Sequence, residues 1–248
     1  MIKPKFYWYN NSLLIINPTK KIEDYLVYYK KSLEVIPGKF EKKSSLKKQT
    51  LFNVVHPGPE NRTIQTLQGF KNKLVTLAAQ DGEFEFYDHR LPCPEPRYNL
   101  MHGFRFGQEN LLRQALLKNQ SGLIQAPTRY GKTYLMANTL RAFPRLQTVV
   151  AAPGVDLLGQ TVEQLKELLP EREIKGIFTG SRDRNPSNDI TVCSLDSLSK
   201  LDIQGTRLLL IDEPHAAVSE TRAPVVARFK NARIYGYGAT LTGRYDNA

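Results

Sequence analysis

The sequence predicts an α/β protein, with a mainly parallel sheet flanked by helices and a small α+β unit ahead of it. Three observations carry this expectation. Five short apolar runs follow residue 100: Leu123-Ile124, Thr148 to Ala152, Ile190 to Cys193, Leu208 to Ile211 and Ile234-Tyr235. Helix-like segments separate them, the pattern of βαβ units whose strands are buried on both faces. Before residue 100 the texture is mixed, and Pro92, Pro94 and Pro96 space a connector between the two regions. The expected domains are therefore 1–100 and 101–248.

In the first region, Phe6-Tyr7-Trp8-Tyr9 and Leu13-Leu14-Ile15-Ile16 flank the polar Asn10-Asn11-Ser12, a hairpin pattern. Ile22, Tyr25, Leu26, Tyr29 and Leu33 recur at helical spacing and predict a helix over 22–33. The lysine-rich stretch Lys39 to Lys48 reads equally as a solvated loop or as a track for phosphates. Leu51 to Val55 predicts a strand, Thr63 to Ala79 a helix, and Phe84 to Tyr87 a strand. Tyr7, Trp8, Tyr9, Tyr25, Tyr28 and Tyr29 read as core and turn packing ahead of a base-stacking surface.

Composition narrows the partners. The 248 residues carry 35 Lys+Arg against 24 Asp+Glu, a net charge of +11 spread over both regions. Such an excess suits a polyanion, nucleic acid first. No apolar run approaches the ~18–20 residues needed to span a bilayer, so no membrane association is expected. Cys93 and Cys193 supply neither a metal cage nor a disulfide framework, and free thiols suit a reducing, cytoplasmic setting.

Two motifs carry chemistry. Ala126-Pro127-Thr128-Arg129-Tyr130-Gly131-Lys132-Thr133 lies between a strand and a helical segment, the context of a phosphate-binding loop. Backbone N–H groups there point at phosphates, Lys132 reaches the β- and γ-phosphates, and the Thr133 hydroxyl suits Mg²⁺. Some 80 residues on, Leu208 to Ile211 empties into Asp212-Glu213-Pro214-His215. Strand C-termini of open α/β sheets face the ligand crevice. Asp212 suits Mg²⁺ coordination, Glu213 suits positioning or deprotonating a water, and His215 shares the loop.

With those motifs in place, the chain resembles a superfamily 2 DExH-box helicase of the XPB/UvsW-like branch, over about residues 103–246. The resemblance implies a RecA-like P-loop NTPase domain binding ATP and Mg²⁺, and it adds residues. Phe106 and Gln108 fall where the family reads adenine, Gln108 at the base edge and Phe106 or Arg105 stacking beside it. Pro153, Gly154, Gln160, Thr191 and Ser194 fall on stretches that grip the nucleic-acid backbone, and Phe178-Thr179-Gly180 on a weaker one. Gly238, Ala239 and Thr240 fall on the segment coupling ATP state to nucleic acid. Departures are Arg129 at a usual glycine, Tyr130 at a usual small residue, Leu241 at a usual proline and Arg244 one position late.

The implied function is an ATP-dependent helicase or translocase acting on single-stranded or branched DNA in repair or recombination, with RNA as another substrate class. Two other readings stand beside it: a restriction-enzyme translocase subunit, and a non-motor nucleic-acid-binding module with a vestigial nucleotide site. The resemblance also implies a second RecA-like domain bearing an arginine finger. Without it the chain is expected to bind ATP weakly and hydrolyse it poorly.

Overall fold

The computed structural model describes residues 3–35, 42–118, 121–178, 180–218 and 222–239. The chain forms two compact units, Met1–Arg90 and Leu91–Ala248.

The first unit runs β1 (Lys5–Trp8), β2 (Ser12–Ile16), α1 (Lys20–Tyr25), β3 (Val27–Val35), β4 (Lys42–Thr50), β5 (Phe52–His56), β6 (Thr63–Leu67), α2 (Lys71–Asp81) and β7 (Glu85–Asp88). Five strands form a sheet in the order β5-β6-β2-β1-β7, with β1 and β7 parallel and the other pairs antiparallel. Strand alternation places Phe6, Leu13, Ile15 and Ile64 on one face. They pack against Ile22, Leu26, Leu74 and Ala78 in a core of their own. β3 and β4 pair antiparallel as a separate two-stranded sheet.

Three expectations for this unit are corrected. The helix over 22–33 ends at Tyr25, and the chain is extended from Val27. Ile22 and Leu26 of the periodic set are fully buried, while Tyr25 and Tyr29 are exposed. Val27, Tyr28 and Tyr29 favour the pleated strand, and pairing with β4 decides the outcome. For the same reason Lys42 to Lys48 is strand, not loop; Lys39, Phe40 and Glu41 lie outside the described residues. The helix over 63–79 begins as β6, because Thr63 to Leu67 pairs with β2 on one side and β5 on the other. Helix starts only at Lys71.

The second unit runs α3 (Gln108–Leu117), β8 (Gly122–Gln125), α4 (Lys132–Ala142), β9 (Thr148–Ala152), α5 (Val155–Leu168), β10 (Ile174–Ile177), β11 (Ile190–Ser194), β12 (Leu208–Asp212), α6 (Ala223–Ala227) and β13 (Arg233–Gly238). Six strands form one all-parallel sheet in the order β10-β11-β9-β12-β13-β8. Each central strand feeds two cores. Val150, Val192, Leu208, Leu210 and Tyr235 pack with Leu112, Leu135, Leu140, Leu158 and Leu165 of α3, α4 and α5. Val149, Ala151, Cys193, Leu209 and Ile211 pack with Leu195, Leu198 and Phe229 on the other face. Burial on both faces is why these strands read as unbroken apolar runs.

The proline connector packs with the second unit. Arg97 N–H donates to the Ala142 carbonyl at 2.8 Å, and Leu100 joins the helical core. The division between units accordingly falls at Arg90–Leu91. Because the sheet is parallel, the segments after β8, β9, β11, β12 and β13 leave it at one edge, the crevice edge of such folds.

Candidate nucleotide site

The segment 126–131 links β8 to α4. Ala126 N–H donates to the Gly238 carbonyl at 2.9 Å, fixing the start of the loop to the end of β13. Tyr130 N–H closes a turn on the Pro127 carbonyl at 3.0 Å. Two residues of the loop take the left-handed conformation, Arg129 at φ 64° and Gly131 at φ 84°. Glycine is required at 131 twice over, since a Cβ there would also lie 2.9 Å from Gln108 Nε2. Lys132 opens α4, so its ammonium and the first N–H groups of an eleven-residue helix share one end. Thr128 and Arg129 are exposed, and Thr133 is half-buried.

Opposite this loop, β12 ends at Asp212 and turns at Glu213, a non-glycine residue with φ 53° held by its N–H donating to the Tyr237 carbonyl at 2.8 Å. Lys132 Nζ pairs with Glu213 Oε1 and lies 3.9 Å from Asp212 Oδ1. His215 Nδ1 lies 3.3 Å from Glu213 Oε2, so Glu213 stands between the two basic groups. The structure thus brings Lys132, Asp212, Glu213 and His215 together.

Asp212 is the electrostatic oddity of the cluster. Burial holds its carboxyl above the ordinary carboxylate value, with Lys132 pulling the other way and Glu213 adding to the rise. Its Oδ1 is buried and accepts no hydrogen bond among the described residues. A buried carboxylate oxygen without a donor is costly, and a hard divalent cation satisfies it. Asp212 and the Thr133 hydroxyl are the side chains that would hold such a cation.

On the base side the two expected residues lie in different settings. Phe106 is 84% exposed, at φ 48°, beside a cleft of about 400 Å³ lined in part by Phe104, Arg105, Asn110 and Arg113. Gln108, expected at the adenine edge, is only 4% exposed. Its Oε1 accepts the Arg105 N–H at 2.7 Å and its Nε2 donates to the Tyr130 carbonyl. Tyr130 in turn donates its hydroxyl to the Phe106 carbonyl. The bulk of Tyr130 was visible in the sequence; its tie to Phe106, twenty-four residues away, was not.

The nucleic-acid candidates divide. Pro153 and Gly154 are half-buried between β9 and α5, and Gln160 is exposed on α5. Thr191 and Ser194 are both buried. Thr191 is fully buried in β11, with its Oγ1 accepting the Ser187 N–H at 2.8 Å. Ser194 is 2% exposed and bonds Ser197 Oγ at 2.9 Å. β11 lies between two cores, and both hydroxyls are engaged within the protein. Gly238 ends β13, and the Ala239 carbonyl accepts from Gln125 Nε2 at 3.3 Å. Thr179, Thr240, Leu241 and Arg244 lie outside the described residues.

The family model described as type III restriction enzyme, res subunit, matches residues 102–243, more than half of the chain. The chain belongs to that family. Its ResIII domain thus holds the phosphate loop, the Asp212-Glu213 strand end and the start of β13's exit. Among solved structures, the chain is similar to the UvsW helicase of bacteriophage T4 at TM-score 0.59 and 12% identity, covering 97% of this chain and 93% of that one. A second T4 UvsW structure matches at the same TM-score and identity, and 53% of it is covered. A SWI2/SNF2 ATPase core from Sulfolobus solfataricus, solved with double-stranded DNA, matches at TM-score 0.51 and 16% identity over 63% of this chain and 36% of that one. At these identities the likeness concerns the fold, and it agrees with the RecA-like sheet. No curated protein matches the chain by sequence. Family and fold make the ResIII domain a superfamily 2 helicase-type domain. Among the described residues, no helix is long and apolar enough to cross a membrane.

Proposed function

We propose that the ResIII domain binds ATP with Mg²⁺ at the C-terminal edge of its parallel sheet and couples hydrolysis to movement along DNA. The observation that carries the reading is the meeting of Lys132, Asp212 and Glu213 across the 126–131 loop, with the donorless Asp212 oxygen among them. In this reading Lys132 leaves Glu213 for the β- and γ-phosphates, and the α4 N-terminus adds its N–H groups. Mg²⁺, held by Asp212 and Thr133, supplies charge neutralisation on the phosphates. Glu213, released from Lys132, orients the attacking water and takes up its proton, with His215 at its other oxygen.

The nucleic-acid track proposed here runs over Pro153, Gly154 and Gln160, contacting backbone rather than bases. Gly238 and Ala239 each lie one hydrogen bond from the C-terminal end of β8, at Ala126 and Gln125, which supports their role in coupling. A second RecA-like lobe with an arginine finger completes the proposed motor, a contribution of ~10³–10⁵ in rate in P-loop enzymes. Work on DNA in repair or recombination is the preferred reading. The matched family's description favours one other, translocation within a restriction system.

The test is steady-state ATP hydrolysis by the chain supplemented with its second lobe, measured with single-stranded DNA, duplex DNA and RNA. Stimulation by DNA, lost in Lys132→Ala and Glu213→Gln, is the expected result. Hydrolysis indifferent to nucleic acid, or intact in Lys132→Ala, contradicts the reading. Displacement of a labelled strand separates unwinding from translocation alone.

A further inference from the structure

One edge of the first unit's sheet carries aromatic rings that its core does not use. β7 ends the strand order and pairs on one side only, with β1. Their register sets Tyr7 beside Tyr87. Strand alternation turns both away from the Phe6 face, which packs on α1 and α2. The two rings stack at 4.9 Å and 17°. His89 joins them, 5.5 Å from Tyr7 and 5.6 Å from Tyr9. Tyr87 is 40% exposed and His89 is exposed, while Tyr7 and Tyr9 are half-buried. The Tyr87 hydroxyl donates to Glu85 Oε2 at 2.6 Å, which fixes the ring on the edge strand. The result is a pre-set aromatic face, open to solvent.

Cations stand at the same edge. Trp8, on the other face of β1, holds Lys71 Nζ at 3.9 Å and Arg90 Cζ at 3.4 Å from its ring centroid. The carboxylates nearby are already paired, Glu83 with Lys3, Glu85 with Lys5 and Asp88 with Arg90. Lys71 and Lys73 open α2, whose first turn holds no acidic residue and no side-chain cap. The charge left unbalanced at this edge is therefore positive, and the helix end adds to it. Open ring faces beside unneutralised cations suit bases that stack and phosphates that link them. We propose that the β1–β7 edge binds single-stranded nucleic acid, with bases stacked at Tyr87 and His89 and phosphates passing Lys71 and Arg90. Stacking of this kind takes any base, so the surface selects strandedness rather than sequence. It lies outside the ResIII domain and does not depend on the nucleotide site.

Trp8 is the sole tryptophan of the chain, so its emission reports on this edge. Titrating oligothymidylate into the whole chain should change that emission saturably. Tyr87→Ala should weaken the titration midpoint about tenfold, the scale of one stacked base, and Tyr87→Phe, which keeps the ring, should not. Lys71→Gln should weaken it too, and should lower the slope of log affinity against log salt by about 0.7, one phosphate of a single strand. It leaves every ring in place, so it reports even where Tyr87→Ala folds poorly. A duplex of equal length should bind this edge more weakly, because its bases are already stacked on each other. Emission that ignores the oligonucleotide overturns the proposal, as does a midpoint unchanged in Tyr87→Ala or in Lys71→Gln. Equal midpoints for oligothymidylate and for a strand of abasic sites, or for the duplex, remove the stacking and overturn it as well. A Trp8 response that follows chain concentration instead of oligonucleotide would put a second copy at the edge and contradict it.

Discussion

Lys132, the first residue of α4, is ion-paired with Glu213, the residue just past β12, eighty-one positions later in the chain. Both side chains are largely buried, and Glu213 occupies the ammonium that an incoming phosphate would need. Glu213→Gln removes that competition and should raise ATP affinity several-fold while lowering hydrolysis by 10² or more, on the scale of losing a positioned base. Paired binding and turnover measurements check this. A fall in affinity would show that Glu213 holds Lys132 in its working position.

Asp212 gives a prediction in pH. Burial raises its carboxyl, so the folded chain binds that proton more tightly than the unfolded chain does. Stability should therefore fall as pH rises from the ordinary Asp value through the raised one, and the penalty should persist at neutral pH. Asp212→Asn removes the charge at nearly constant size and should stabilise the chain at pH 7. It should also abolish any Mg²⁺ dependence of ATP binding. Thermal melting across pH, with and without Mg²⁺, measures both effects.

The phosphate loop gives an opposed pair of substitutions. Arg129→Gly relieves a left-handed non-glycine residue and should stabilise by about 0.5–1 kcal/mol, the strain being partly offset by a freer unfolded chain. Gly131→Ala adds a Cβ at φ 84° and crowds Gln108 Nε2, and should destabilise by about 2 kcal/mol. Urea denaturation of the two variants should move the midpoint in opposite directions.

A buried hydroxyl pair under the site gives a fourth. Thr139 Oγ1 donates to the Leu135 carbonyl at 3.0 Å and accepts the Tyr237 O–H at 2.5 Å. Tyr237→Phe leaves Thr139 with a partner and should cost about 1 kcal/mol. Thr139→Val strands the Tyr237 hydroxyl in the core and should cost about 2 kcal/mol. Equal costs in denaturant titrations would contradict this asymmetry.

What the sequence showed and hid follows from where side chains point. The parallel sheet was legible because β9, β11 and β12 are buried on both faces and read as apolar runs. β10 was not, because Ile174-Lys175-Gly176-Ile177 is a short edge strand with no apolar run. In the first unit, helical spacing at Ile22 to Leu33 and Thr63 to Ala79 lost to strand pairing, a long-range interaction that local periodicity does not carry. The site residues Lys132, Asp212 and Glu213 were legible from residue type and order. For Thr191, Ser194 and Gln108 the residue type suits ligand contact, while only the packed structure shows their polar atoms bonded to neighbours.

The central claim is that the 126–131 loop and the Asp212-Glu213 strand end form a Mg²⁺-dependent ATP site. Titration of ATP into the chain and into Lys132→Ala, each with Mg²⁺ and with chelator, tests it most directly. The account predicts binding by the unaltered chain that weakens at least tenfold on chelation and on removal of Lys132. ATP binding that is equal in all four titrations would contradict it.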